Sequence, residues 1–183
     1  GSVDSEHGIL VYANNFKEKE NIKMREIIQS YIDKPVYMTN DANAAALGEV
    51  VAGAAKGYKN VVVITLGTGV GGGVIINGQL YEGQYSAGAE LGHIMLIHDG
   101  EQCSCGRKGC WEAYASATAL IRQTKKAMEE HPDSYMNKIA TLDNVSGRTA
   151  FIAAKNGDAA GQAVVDKYIQ YISEGLVDII NIF

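Results

Sequence analysis

Apolar positions along this chain switch between short unbroken runs and stripes spaced three to four residues apart, the pattern of strands exchanging with helices. Gly8 to Ala13, GILVYA, predicts a short strand closed by the polar pair Asn14 and Asn15. Ile22, Ile27, Ile28, Tyr31 and Ile32 follow at near-helical spacing and predict a helix over Asn21 to Asp33. Pro35 ends it, and Val36 to Met38 reads as a second strand. A small-residue helix is expected over Ala42 to Ala55, then a buried strand over Val61 to Leu66, VVVITL. Glycines interrupt at Gly67 to Gly73, a further strand follows, and Asn77-Gly78 signals a hairpin turn. Tyr81 to Gly88 reads as an exposed loop. Trp111 to about Glu130 predicts one helix, with Tyr114, Ala117, Ile121 and Met128 near one face. Met136 to Leu142 and Arg148 to Lys155 suggest short helices. Gly157-Asp158 opens a long one, with Val165, Tyr168, Ile169, Ile172, Leu176, Ile179, Ile180 and Phe183 as its apolar stripe. The alternation indicates an α/β layer architecture.

Composition narrows the function classes. A chain of 183 residues, 46% hydrophobic, can bury one good core or one domain with pieces of another. The formal net charge of −5 argues against nucleic acid or an anionic membrane as the main partner. No apolar run is long enough to span a bilayer. Three cysteines at metal-ligand spacing suit a reducing compartment, so a cytoplasmic location is expected.

Those cysteines carry the clearest chemistry. The order is His93, nine residues, Cys103, one residue, Cys105, four residues, Cys110. Three thiolates and an imidazole complete a tetrahedral shell for a structural zinc ion. Gly100, Gly106 and Gly109 would let the loop fold back, and Arg107 and Lys108 would offset the thiolate charge. An odd count leaves a thiol over after any single disulfide, and Cys-x-Cys is too tight for an easy bridge. Three unrelated buried cysteines are the remaining alternative. The spacing of a nucleic-acid zinc finger is absent.

Other positions admit two readings. Asn40 and Asp41 sit where a strand ends and a helix starts, a place where ligands meet open α/β sheets but also where such residues cap helices. Gly67 to Gly72 spells GxGxxG, yet a strand follows rather than the helix a dinucleotide site requires. This strand, glycine turn, strand element either cradles phosphate on bare backbone N–H groups or is a plain hairpin. Glu90 is either solvated or a ligand contact, and Glu112 either a first-turn helix carboxylate or a contact placed by the metal loop.

Four segments together resemble the ROK family, sugar kinases and sugar-responsive repressors with an actin-like ATPase (ribonuclease H-like) fold. Cys103 to Glu112, CSCGRKGCWE, is similar to its zinc loop; Ala87 to Ile94, AGAELGHI, to its sugar-contact motif; Thr39 to Glu49, TNDANAAALGE, to its catalytic-base motif; and Leu66 to Ile75, LGTGVGGGVI, to its second phosphate loop. The resemblance implies an α/β fold in which residues 1–40 end the N-terminal lobe and residues 41–183 form most of the C-terminal lobe. It implies ATP-dependent phosphorylation of a hexose, with glucose leading and an N-acetylmannosamine kinase as an alternative. Asp41 would be the general base. Asn40, Glu90, His93 and Glu112 would contact the sugar. Gly67, Thr68 and Gly69 would hold nucleotide phosphates with Mg2+, and His93, Cys103, Cys105 and Cys110 the zinc. His93 would bind metal through one ring nitrogen and face the sugar with the other. A homodimer is the expected assembly. The family's DxGGT-type first phosphate loop and its Gly-Gly adenosine loop do not occur in the sequence, so an internal piece, inactive alone, is expected. The alternative class is the sugar-sensing domain of a ROK-type repressor, in which a helix-turn-helix ahead of this region would bind DNA.

Overall fold

A computed structural model describes residues 2–12, 21–84 and 88–183. It resolves two units, residues 1–65 with 71–90, and residues 66–70 with 91–183. The expected break at Asn14 and Asn15, and Ala13, Tyr85, Ser86 and Ala87 of the predicted elements, lie outside the described residues.

In the first unit, strand β1 (Ser2–Asp4), which the polar start of the chain did not suggest, pairs antiparallel with β2 (Ile9–Tyr12). Helix α1 covers Met24–Gln29, shorter than predicted. Its Arg25 reaches back to the turn between the strands, donating to the carbonyls of Ser5 (2.6 Å) and Glu6 (2.8 Å), and also to Val36 O (3.0 Å). Residues 36–38 are therefore not the expected strand. They join no ladder among the described residues, the Val36 carbonyl is taken by a side chain, and Tyr37 is 87% exposed.

Helix α2 (Asp41–Ala52) starts where expected because Asn40 caps it: its Oδ1 accepts from the N–H groups of Ala42 (2.7 Å) and Asn43 (3.4 Å). Strands β3 (Val61–Leu66), β4 (Val70–Ile76) and β5 (Gln79–Tyr81) form a three-stranded sheet in that order. Asn77 and Gly78 both have positive φ, 53° and 80°, as a primed two-residue hairpin turn demands. The small residues of α2 and the glycines of β4 explain one another. A Cβ on Gly73 would lie 2.6 Å from Ala42 O and from Ala46 Cβ, so helix and strand approach at backbone distance.

The second unit is largely helical. The predicted helix from Trp111 divides into α3 (Glu112–Ala115) and α4 (Ala117–Glu130). Ser116 takes an extended conformation (ψ 161°) between them, and its side chain accepts the Ala119 N–H to cap α4. Short helices α5 (Met136–Ile139) and α6 (Thr149–Lys155) precede α7 (Ala159–Ile182). Their core joins Leu120, Met128 and Met136 to Val164, Val165 and Tyr168. Of the predicted α7 stripe, Val165, Tyr168 and Ile179 are buried, but Ile169, Leu176, Ile180 and Phe183 are exposed, Ile180 by 75%. The sequence reading missed Gly161 and Gly175, buried glycines on which α7 packs closely. Among the described residues no helix is long and apolar enough to cross a membrane.

Candidate metal centre and glycine turn

The loop after the 3₁₀ turn Leu91–His93 is built to fold back. Leu96 and Ile97 donate to Gly109 O, Trp111 donates to Ile94 O, and Cys103 donates to Arg107 O. Gly106 and Gly109 hold φ of 89° and 78°, which an L side chain would resist. The result gathers His93, Cys103, Cys105 and Cys110, whose ligand atoms all lie within 4.8 Å of one another.

Two distances within that cluster can be compared with a metal site. Cys105 Sγ stands 3.7 Å from Cys110 Sγ, and Cys103 Sγ stands 3.6 Å from His93 Nδ1. A tetrahedron built on Zn–S bonds of ~2.3 Å and a Zn–N bond of ~2.0 Å has S···S edges of about 3.8 Å and S···N edges of about 3.5 Å. Two of the six donor–donor distances match those edges and the rest lie within 4.8 Å, so the Cys3His donor set could hold one such ion. No cysteine is in a disulfide.

Burial pushes the Cys110 thiol up to about 12, with its neighbours Cys105 and Cys103 adding to the effect. Burial also raises Cys103. Burial acts the same way on Cys105, but there the Arg107 backbone N–H, the neighbouring thiols and the Arg107 charge outweigh it and hold the thiol below its ordinary value. Thiols so placed become thiolates when a cation displaces their protons. Arg107 thus plays the charge-offsetting part expected of it. Lys108 does not: its Nζ pairs with Asp99 Oδ1 at 3.0 Å on the surface.

Glu112 joins this loop to the glycine turn. Its Oε1 accepts from Ser104 Oγ (3.0 Å), between two of the cysteines, and its Oε2 accepts from Val70 N–H (3.0 Å). The turn itself is tied down through its carbonyls. Gly67 O accepts from Ala117 N–H (2.8 Å), Thr68 O from Thr118 Oγ1 (2.8 Å), and Gly69 O from Gly67 N–H (3.0 Å). Among the described residues, the N–H groups of Thr68 and Gly69 have no partner. A Cβ at Gly69 would meet the Glu112 carboxylate, which would have to swing away and give up its place beside the turn.

The second unit therefore brings together His93, the cysteines, Glu112 and Gly67 to Gly69. Asn40, Asp41 and Glu90 belong to the first. Asn40 spends its amide oxygen on the cap. Asp41, exposed, accepts from Ala42 N–H through Oδ1 alone (3.0 Å), so Oδ2 keeps its lone pairs. Glu90 is exposed beside Ala89, which holds a positive φ of 61°. Sequence reasoning missed Ser104, Ala117 and Thr118. Ser104 lay between two ligands of the quoted Cys103–Glu112 motif, whereas Ala117 and Thr118 lay beyond its end and carried no signal.

The family model for ROK matches residues 1–183. The chain belongs to the ROK family. This ROK chain is 36% identical to a glucokinase of Thermotoga maritima, over all of its own length and 58% of the relative's. It is 39% identical to a xylose repressor of Bacillus subtilis over 78% of this chain and 38% of that one. A crystal structure of a ROK family glucokinase from Streptomyces griseus, in complex with glucose and AMPPNP, superposes with a TM-score of 0.88 at 35% identity, covering all of this chain and 60% of that one. The fold is accordingly the α/β actin-like ATPase fold, represented in part, as the resemblance implied.

Proposed function

We propose that the protein containing this chain transfers the γ-phosphoryl group of ATP to a hexose hydroxyl, with glucose as the leading substrate. The observation that carries the reading is the glycine turn: its three carbonyls are engaged by protein donors while the Thr68 and Gly69 N–H groups stay free for an anion. The glucose and AMPPNP complex of the Streptomyces griseus relative supports both substrates.

In this reading Asp41 is the general base. Its exposed carboxylate takes the proton of the attacking hydroxyl, and Asn40 holds the sugar with its amide nitrogen. Glu90, His93 and Glu112 contact the other hydroxyls. A polyol needs such fixed acceptors, and a site built of them rejects analogues that leave them unpaired. Thr68 and Gly69 amides, with Gly67 shaping the turn, receive the phosphates of the magnesium nucleotide, whose positioning dominates phosphoryl transfer. His93 is set to serve two partners: Nδ1 faces Cys103, which leaves Nε2 for the sugar. Zinc fits the Cys3His donor set, and when bound it would fix the loop from His93 to Cys110. A homodimer is the proposed assembly, by analogy with the family.

Asp41→Asn in the whole protein tests the assignment. Turnover with glucose should fall about 10²–10⁴-fold, and a variant at the wild-type rate would remove Asp41 from the role. The second reading, a sugar-responsive repressor, draws on the 39% identity to the xylose repressor. It predicts sugar binding with no phosphorylation by the wild-type protein.

A further inference from the structure

We infer that Thr118 is a positioning residue for the nucleotide, acting through the peptide between Thr68 and Gly69. The inference rests on the phosphoryl-transfer reading of the glycine turn given above.

In a trans peptide C=O and N–H lie in one plane and point in opposite directions. Anchoring the Thr68 carbonyl on one side therefore sends the Gly69 N–H to the other. The same holds one residue earlier, where Ala117 N–H anchors Gly67 O and so aims the Thr68 N–H. Both free amides of the turn are thus set by the start of one helix. That helix follows the last cysteine of the metal loop by seven residues, Cys110 to Ala117.

Such anchoring is needed because Gly67 and Gly69 flank Thr68, and glycines permit the peptide rotations that other residues resist. A rotated Thr68–Gly69 peptide would present a carbonyl to the phosphates and withdraw a donor. Gly67 O is held by a main-chain N–H, which no substitution can remove without proline. Thr68 O is held by a side chain alone, Thr118 Oγ1 at 2.8 Å. Thr118 lies in the first turn of α4 and is exposed, so its hydroxyl has no packing reason to point at the turn.

Thr118→Val, close in shape but without the hydroxyl, and Thr118→Ser, which keeps it, should be compared in the whole protein. The readouts are calorimetric affinity for a non-hydrolysable ATP analogue with magnesium, and KM and kcat for ATP and for glucose. A net hydrogen bond of about 1 kcal/mol predicts roughly a 3- to 10-fold loss of nucleotide affinity or a matching rise in KM for ATP in Thr118→Val. The KM for glucose should stay within about twofold, and Thr118→Ser should recover most of the loss. Thr118→Ala serves as a second hydroxyl-free variant should the valine crowd the turn. Unchanged nucleotide affinity in the hydroxyl-free variants, or a serine variant as weak as they are, overturns the inference while leaving the kinase reading intact. A folded wild-type protein that binds no nucleotide overturns both.

Discussion

Glu112 and Val70 are joined by a hydrogen bond of 3.0 Å, from the first residue of the strand after the glycine turn to a carboxylate just beyond the last cysteine. The carboxylate's other oxygen takes the Ser104 hydroxyl, so one side chain spans the metal loop and the turn. Hydrogen bonds to a charged group contribute about 1.5–3 kcal/mol. In the proposed kinase reading, Glu112→Ala should therefore lower kcat/KM by roughly 10- to 100-fold, raising the KM for ATP as well as that for the sugar. Glu112→Gln, which keeps an acceptor, should lose less. Steady-state kinetics with each substrate varied in turn decides it. An alanine variant whose ATP parameters match the wild type would show that the bond to Val70 has no functional consequence.

The cysteine and histidine spacing predicts one zinc ion per chain, bound tightly enough to survive dialysis. Cys110→Ser should bring the metal content well below one by atomic spectroscopy. It should also disturb Trp111, the next residue, which is the only tryptophan and is fully buried. Chelation of the wild type should give the same red shift in tryptophan emission. A metal-free protein with native emission and native sugar affinity would show that the loop holds its shape without the ion.

How far this was legible follows from the range of each signal. The Cys3His set, the Asn77-Gly78 turn and the Asp158 start of α7 are local patterns whose physics lies within a few residues, and the structure has them where the sequence put them. The break at Ser116 was hidden because Ala-Tyr-Ala-Ser-Ala-Thr has helical composition throughout, and only the cap on Ala119 N–H reveals it. Gly71 and Gly73 looked like more of the phosphate turn, but they serve the contact with Ala42 and Ala46 of α2. Val36 to Met38 carried a strand's residues without a partner's hydrogen bonds. The grip of Thr118 on Thr68 joins residues 50 apart, beyond any pattern in a single sequence.

Gly175 yields a prediction opposite in sign to helix propensity. In an exposed helix, replacing glycine with alanine stabilises by roughly 0.5–1 kcal/mol. Gly175 is buried in α7 against the indole of Trp111, whose Nε1–H donates to Tyr171 O at 2.8 Å, and a Cβ would overlap the ring. Gly175→Ala should instead destabilise by about 1–3 kcal/mol, the usual cost of overpacking. Urea unfolding followed by tryptophan emission gives the sign directly, and a stabilised variant would contradict the packing.

Asp158 links acid sensitivity to the helical unit. Burial raises its pKa, but the N–H groups of Tyr135 and Gly161 and the Ser134 hydroxyl, at 3.0, 2.7 and 2.8 Å, outweigh burial and hold the carboxyl below its ordinary range. The carboxylate caps α7 and at the same time fixes the approach to α5. Because the folded value lies below the unfolded one, its contribution is complete above the unfolded pKa of about 3.9 and is lost as pH falls through the folded value. Asp158→Asn keeps the shape and a capping oxygen but not the charge. It should cost about 1 kcal/mol at pH 7. That gap should narrow as the pH falls below the unfolded pKa of about 3.9 and close once it passes the folded value, where the wild-type side chain is itself neutral. Asp158→Ala, without any acceptor, should remain destabilised across the whole range. Denaturant midpoints for the three proteins between pH 2.5 and 7 distinguish these outcomes, and a gap between wild type and asparagine variant that does not vary with pH would remove the charge from the account.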